Sequence, residues 1–132
     1  MSDQKIRVLL ADDEGHIRLM LKTVLKTAGY EIVAEAANGQ EAVDLFHATK
    51  PDLVLLDLNM PIKTGIEALQ EITLSSPETC VIMLTSVSDM QTVQACLDSG
   101  AAHYVRKDTP IAEMKAIIAE TCRSYWQSTT GE

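Results

Sequence analysis

Residues 52–57 read DLVLLD, four aliphatic side chains between two aspartates, with Pro51 before them and Asn59-Met60-Pro61 soon after. A run this short and this rich in Leu and Val suits a buried strand, since an amphipathic helix needs about ten residues or more of three-and-four spacing to declare itself. Its apolar pattern stops at Asp57. The same construction appears three more times: KIRVLLA (5–11) stops before Asp12 and Asp13, CVIMLT (80–85) ends in Thr85, and AHYVRK (102–107) ends in Lys107. Apolar runs without polar alternation are typical of strands covered on both faces, so all four read as buried parallel strands.

Helical segments lie between them. Ile17, Met20, Leu21, Val24, Leu25 and Ala28 follow the spacing of one buried helix face, and Gly29 ends that segment. Tyr30 to Ala36 alternates as a further strand. NGQE (38–41) has capping-box spacing before a helix with Ala42, Leu45 and Phe46 inward, closed by Pro51. TGIE (64–67) has it before Ile66, Leu69 and Ile72, and SDMQ (88–91) before Val93 and Leu97, with Gly100 as the stop. Thr109-Pro110 is a cap and first-turn pair for a last helix carrying Ile111, Met114, Ile117 and Ile118 on one side.

Five strand–helix units in strict alternation imply an α/β fold, a doubly wound parallel sheet with helices on both faces. Five strands suit the flavodoxin-like order 2-1-3-4-5, an order taken over from that fold rather than read from the residues. Under it the first and third strands are neighbours at the switch point, where chemistry collects at the carboxyl ends of the strands. Asp12 and Asp13 then lie beside Asp57.

The chain of 132 residues, 46% hydrophobic and 23% charged, is expected to form one domain over 1–132. A formal net charge of -8 disfavours direct binding to nucleic acid or to an anionic membrane, both of which need clustered Lys and Arg. No apolar run approaches the roughly 20 residues needed to span a bilayer, and no signal peptide opens the chain. Cys80, Cys96 and Cys122 are odd in number and form no metal-ligand spacing, as expected of reduced structural thiols in a cytoplasmic protein.

Three carboxylates gathered on one rim repel one another, so the arrangement calls for a cation among them. Magnesium suits it: it prefers oxygen, takes few protein carboxylates and keeps sites for water and phosphate oxygens. A carboxylate at the end of the middle strand, Asp57, can act as a nucleophile toward phosphorus and become an acyl phosphate. Magnesium, the Lys107 ammonium and the Thr85 hydroxyl would together hold the equatorial oxygens. A lone Asp after a strand more often caps a helix, and a lone strand-end Lys is usually solvated; the joint placement of the five residues points to chemistry.

LLADDE, LLDLNMP, MLTS and YVRK, in this order, resemble the receiver domain of two-component response regulators over nearly the whole chain. The resemblance implies that Asp57 is the phosphoacceptor, loaded by a sensor histidine kinase or phosphotransfer protein. It implies that Asp13, Asp57 and the Asn59 backbone carbonyl bind magnesium directly, with Asp12 acting through water. Thr85 and Lys107 contact the phosphoryl group, and Tyr104 is the switch aromatic that turns inward when the threonine moves. Phosphorylation then shifts a two-state equilibrium and alters the surface of the fourth helix, fifth strand and fifth helix, about Ser88 to Trp126, for an output partner, a fused output domain or a second copy.

Receivers commonly follow the lysine with proline, often through a cis bond, whereas this chain has KDTP (107–110), where a cis bond would cost roughly 2.5 to 4 kcal/mol. KDTP resembles receivers attached to LuxR-type transcription factors, so the chain reads either as a stand-alone receiver or as one excised from such a regulator. Asn59 and apolar Val87 flank the expected water path, from which slow autodephosphorylation is expected. A haloacid-dehalogenase-like phosphatase is a rival, but Asn59 stands where its second aspartate would be. A phosphorylation-independent adaptor is another, and it would not need all five site residues. His16 is set aside as a solvated first-turn residue because magnesium prefers oxygen, and His47 and His103 have no partners in sequence. Met60-Pro61 is expected to shape the cleft wall, and Trp126 to be a packing anchor or part of a partner surface.

Overall fold

Five parallel strands form one sheet in the order β2-β1-β3-β4-β5. The computed structural model describes residues 5–86 and 90–129. Along the chain the elements are β1 (Arg7–Ala11), α1 (Gly15–Thr27), β2 (Glu31–Ala36), α2 (Gly39–Thr49) and β3 (Leu53–Asp57). They continue with α3 (Gly65–Ser75), β4 (Cys80–Thr85), α4 (Met90–Asp98), β5 (His103–Arg106) and α5 (Ile111–Thr129). This is the expected flavodoxin-like, doubly wound α/β fold. The strand order reverses between β1 and β3, so the crevice at their carboxyl ends is the switch point.

The two faces of the sheet have separate cores. Side chains alternate along each strand, so Leu9, Val54, Leu56 and Met83 pack beneath α2, α3 and α4, while Val8, Leu10, Leu55 and Ile82 pack beneath α1 and α5. Every residue of β3 is buried, which is why DLVLLD shows no polar alternation. Edge strand β2 is only half-buried and carries an irregularity: Val8 pairs with Ile32 and Leu9 with Ala34, so Val33 is skipped. The opposite edge, β5, has four residues and is half-covered rather than buried, shorter and more open than expected.

Helix ends depart from simple periodicity. Leu21 and Leu25 are the buried residues of α1, but Ala28 is its C-cap and is exposed, because the helix stops before that position returns to the sheet. Gly29 follows at φ +96°, the left-handed conformation that favours glycine there. The TGIE capping box is complete, with Thr64 and Glu67 each accepting from the other's backbone N–H. At NGQE only half forms: Asn38 accepts from the Glu41 N–H at 2.8 Å, while the Glu41 carboxylate reaches one residue further back to the Ala37 N–H at 2.8 Å. At α5 the Met114 N–H donates to the Pro110 carbonyl at 2.8 Å, placing Pro110 in the cap position one residue later than expected. Ile111 consequently points outward, 48% exposed, and the buried stripe runs Met114, Ile118 and Cys122, with Ile117 partly covered. The SDMQ expectation falls on residues 88–91, of which 88 and 89 lie outside the described residues.

Candidate functional site

Asp12 follows the last residue of β1 and is held on three sides. Its N–H donates to the Ala36 carbonyl at 3.0 Å, its Oδ1 accepts from the Glu14 N–H at 2.8 Å, and its carbonyl accepts from Arg18 Nη1 at 2.5 Å. Asp57, the last residue of β3, is buried, and its Oδ1 accepts a weak bond from the Asn59 N–H at 3.3 Å. The next strand is tied to it by the Leu58 N–H on the Leu84 carbonyl at 2.9 Å, which sets Thr85, also buried, one step beyond. The Lys107 N–H in turn donates to the Thr85 carbonyl at 2.8 Å. Neighbouring strand ends thus carry the five residues to a common rim.

The charges meet there. Carboxylate oxygens of Asp12, Asp13 and Asp57 all lie within 4.8 Å of one another. Lys107 Nζ is 2.8 Å from Asp12 Oδ2, 3.1 Å from Glu14 Oε1 and 3.3 Å from Asp57 Oδ1. The Asp12 contact is an ion pair without hydrogen-bond geometry, so buried Oδ2 has no hydrogen bond among the described residues. Burial, and then the charge of Asp12, push the Asp57 carboxyl up to about 6, against the smaller opposing pull of Lys107. Burial is also the largest single influence on Lys107 and acts to lower its pKa, but Asp12, Glu14 and Asp57 together outweigh it and the net shift is upward. A cluster of three hard carboxylate donors, one oxygen of it buried without a hydrogen bond and one acid driven toward its neutral form, fits a small divalent cation such as magnesium.

The loop after Asp57 is shaped by two close approaches. A Cβ on Gly65 would sit 2.2 Å from the Asp57 carbonyl oxygen, and one on Gly39 1.9 Å from that of Lys63. Both glycines open helices against the loop backbone, and only their lack of a side chain lets the loop lie so close. Between them Ile62, at φ +72°, forms a γ-turn closed by the Lys63 N–H on the Pro61 carbonyl at 2.8 Å. Met60 is buried in the core below α2 and α3, while Pro61 beside it is exposed.

The remaining expected residues fall as follows. Asn59 is exposed at the rim, and Asp13 is the exposed member of the acid cluster. Tyr104 is half-buried against the core of α2, α3 and α4, with its ring edge-on to His103 at 5.6 Å. The bond between Lys107 and Asp108 is trans, as are all peptide bonds among the described residues. Asp108 turns back to pair with Arg106 through two contacts of 3.1 Å. Val87 lies outside the described residues. Glu14, Arg18, Gly39 and Gly65 were not singled out from sequence. Glu14 continues the acidic string after Asp13, and both glycines follow a capping residue, so faint signals existed for three of them. A cavity of about 680 Å³ lies at the opposite pole, lined in part by His47, Lys50, Ser76 and Trp126, and touches none of these residues.

Comparison with known proteins agrees with this geometry. The response regulator receiver domain family matches residues 8–119. The chain is 44% identical over 108 residues to the transcriptional regulatory protein PdtaR of Mycobacterium tuberculosis, covering 82% of this chain but only 52% of that protein. It is 38% identical over 113 residues to protein CcdB of Bacillus subtilis, covering 86% of this chain and 92% of that one. The CheX-CheY-BeF3-Mg complex of Borrelia burgdorferi contains a similar chain, with a TM-score of 0.82, 30% identity and 87% of each chain covered. The protein belongs to the receiver domains of two-component response regulators. Members of that family generally serve as phosphoacceptors rather than classical enzymes, bind magnesium in an acidic pocket, and interact with kinases and output domains. No helix among the described residues is long and apolar enough to cross a membrane.

Proposed function

We propose that Asp57 accepts a phosphoryl group from the phosphohistidine of a sensor kinase or phosphotransfer protein. A carboxylate oxygen of Asp57 attacks phosphorus, the P–N bond breaks, its electron pair returns to the imidazole nitrogen, and an acyl phosphate remains on Asp57. The observation that carries this reading is the Lys107 ammonium, 3.3 Å from Asp57 and 2.8 Å from Asp12, on the rim where Asp13 also converges. Phosphoryl transfer asks a protein chiefly for positioning and charge neutralisation, which this set of groups supplies. Asp13, Asp57 and the Asn59 carbonyl would hold magnesium directly and Asp12 through water, and the ion would supply neutralisation of the phosphoryl oxygens. Thr85 and Lys107 contact the phosphoryl group, and the Tyr104 ring follows Thr85 inward.

The modified state alters the face made by α4, β5 and α5, read by an output protein, a fused output domain or a second copy. Residues 1–132 act as one receiver unit. Two relatives support different outputs: PdtaR, about half of which this chain matches, is a transcriptional regulatory protein, whereas CcdB is matched over 92% of its length. The first favours a receiver that is part of a transcriptional regulator, the second a receiver acting through protein contacts. Apolar Val87 favours slow autodephosphorylation.

Incubation with acetyl phosphate, with and without magnesium, followed by intact mass for wild type and Asp57→Ala, tests the chemistry. The expected result is a magnesium-dependent phosphoryl adduct on wild type alone. Folded wild-type protein without an adduct would overturn the proposal and favour an adaptor.

A further inference from the structure

Arg18 projects from the first turns of α1 into the base of the acidic loop. Its Nη1 donates to the Asp12 carbonyl at 2.5 Å, and its Nε faces Glu35 Oε1 of β2 at 3.4 Å. Glu35 also pairs with Lys22 at 2.9 Å, and Lys22 followed by Arg18 hold its carboxyl below the usual range. The Asp12 N–H is fixed on the neighbouring Ala36 carbonyl at 3.0 Å. Arg18 and β2 therefore grip the same stretch of backbone from two sides.

The carbonyl that Arg18 holds belongs to the planar peptide joining Asp12 to Asp13. Fixing that plane sets ψ of Asp12 and φ of Asp13 together, and so the direction in which the Asp13 side chain leaves the chain. Asp12 has a further brace in the Glu14 N–H on its Oδ1, whereas the exposed Asp13 carboxylate accepts no hydrogen bond from a described residue. Its convergence with Asp12 and Asp57 within 4.8 Å rests on the backbone beneath it.

We infer that Arg18 is a positioning residue for the metal site, acting through the Asp12–Asp13 peptide to aim the Asp13 carboxylate; this inference rests on the magnesium site proposed above. It makes a prediction opposite in sign to plain electrostatics. A guanidinium beside a cation site repels the cation, so deleting it tightens binding if charge is all that matters. If Arg18 positions the ligand, deleting it weakens binding although a repelling charge has gone.

The test is magnesium affinity by titration calorimetry on wild type, Arg18→Met and Arg18→Lys, with amide hydrogen exchange of the metal-free proteins. Arg18→Met keeps most of the stem and is expected to weaken magnesium about tenfold. Exchange at the Asp12 and Glu14 amides, which are held by the Ala36 carbonyl and Asp12 Oδ1, should accelerate, while that of β3 and β4 is unchanged. Arg18→Lys keeps the charge and can still reach the carbonyl with one donor, so it restores part of the affinity and serves as the folded variant if Arg18→Met does not fold. Affinity unchanged or tighter in Arg18→Met, or in Arg18→Lys where that variant stands in, overturns the role of Arg18 alone. Absence of magnesium binding by wild type overturns the metal site itself, and the positioning role with it.

Discussion

The two ends of the sheet are built on opposite principles. At the carboxyl end, Asp12 and Asp57 are buried within reach of each other, one carboxylate oxygen has no hydrogen bond, and Asp57 is pushed toward its neutral form. At the amino end, aromatic side chains near the end of α5 satisfy the loop between α3 and β4: Tyr125 donates to the Pro77 carbonyl, and Trp126 Nε1 donates to that of Glu78 at 3.1 Å. Trp126 packs on the α1 and α5 core at the same time, in keeping with the packing anchor, one of the two roles expected from sequence. One pole gathers stability while the other holds charges that oppose it.

That contrast can be broken along a single strand. Leu55 and Asp57 are both buried in β3, two residues apart, yet their truncation or neutralisation should move stability in opposite directions. Leu55→Ala removes a fully buried side chain and is expected to cost about 4 kcal/mol in urea unfolding, within the usual span for such a change. Asp57→Asn should instead stabilise the metal-free protein by about 3 kcal/mol above neutral pH, the order of the shift from 3.8 to about 6. The sign follows from the raised pKa: the folded state favours the protonated carboxyl, so this contribution is fully present below about pH 4 and is lost as pH rises through about 6. The gap between wild type and Asp57→Asn should therefore open between those pH values and shrink when magnesium is added. A gap that does not vary with pH would remove the strain assigned to the rim. At the other pole, Trp126→Phe keeps most of the apolar packing and removes the donor to Glu78, for an expected loss of about 1 kcal/mol that pH and magnesium leave unaltered.

The same contrast governs what could be read from the sequence. Strand interiors were plain, because residues buried on both sides leave runs such as DLVLLD, and each functional residue stands at the end of one. Helix interiors followed from spacing, but Ala28 and Ile111 did not, because a terminal position leaves the packed face as the helix starts or stops. Gly39 and Gly65 could be seen only as residues after caps. Their purpose lies in backbone from other elements coming close enough to exclude a Cβ, a relation between distant segments that local pattern does not encode. Arg18 sits beside the apolar stripe of α1 and reads as solvated until the Asp12 carbonyl is seen in front of it. Glu14 continues the acidic string after the Asp-Asp pair, and only the fold brings it to Lys107, which lies 93 residues further along the chain.

Skipping Val33 in the pairing of β1 with β2 bears on how molecules meet one another. An outer strand offers unpaired N–H and C=O groups on which another chain can add a strand and begin to aggregate. The extra residue disrupts the regular spacing of that row and bends it, so an incoming strand meets a ladder that does not continue in step. The other outer strand, β5, is only four residues long and ends in Arg106. Both margins of the sheet thus discourage edge-to-edge polymerisation, which lets a crowded population of this chain remain available for reversible contacts made elsewhere on its surface.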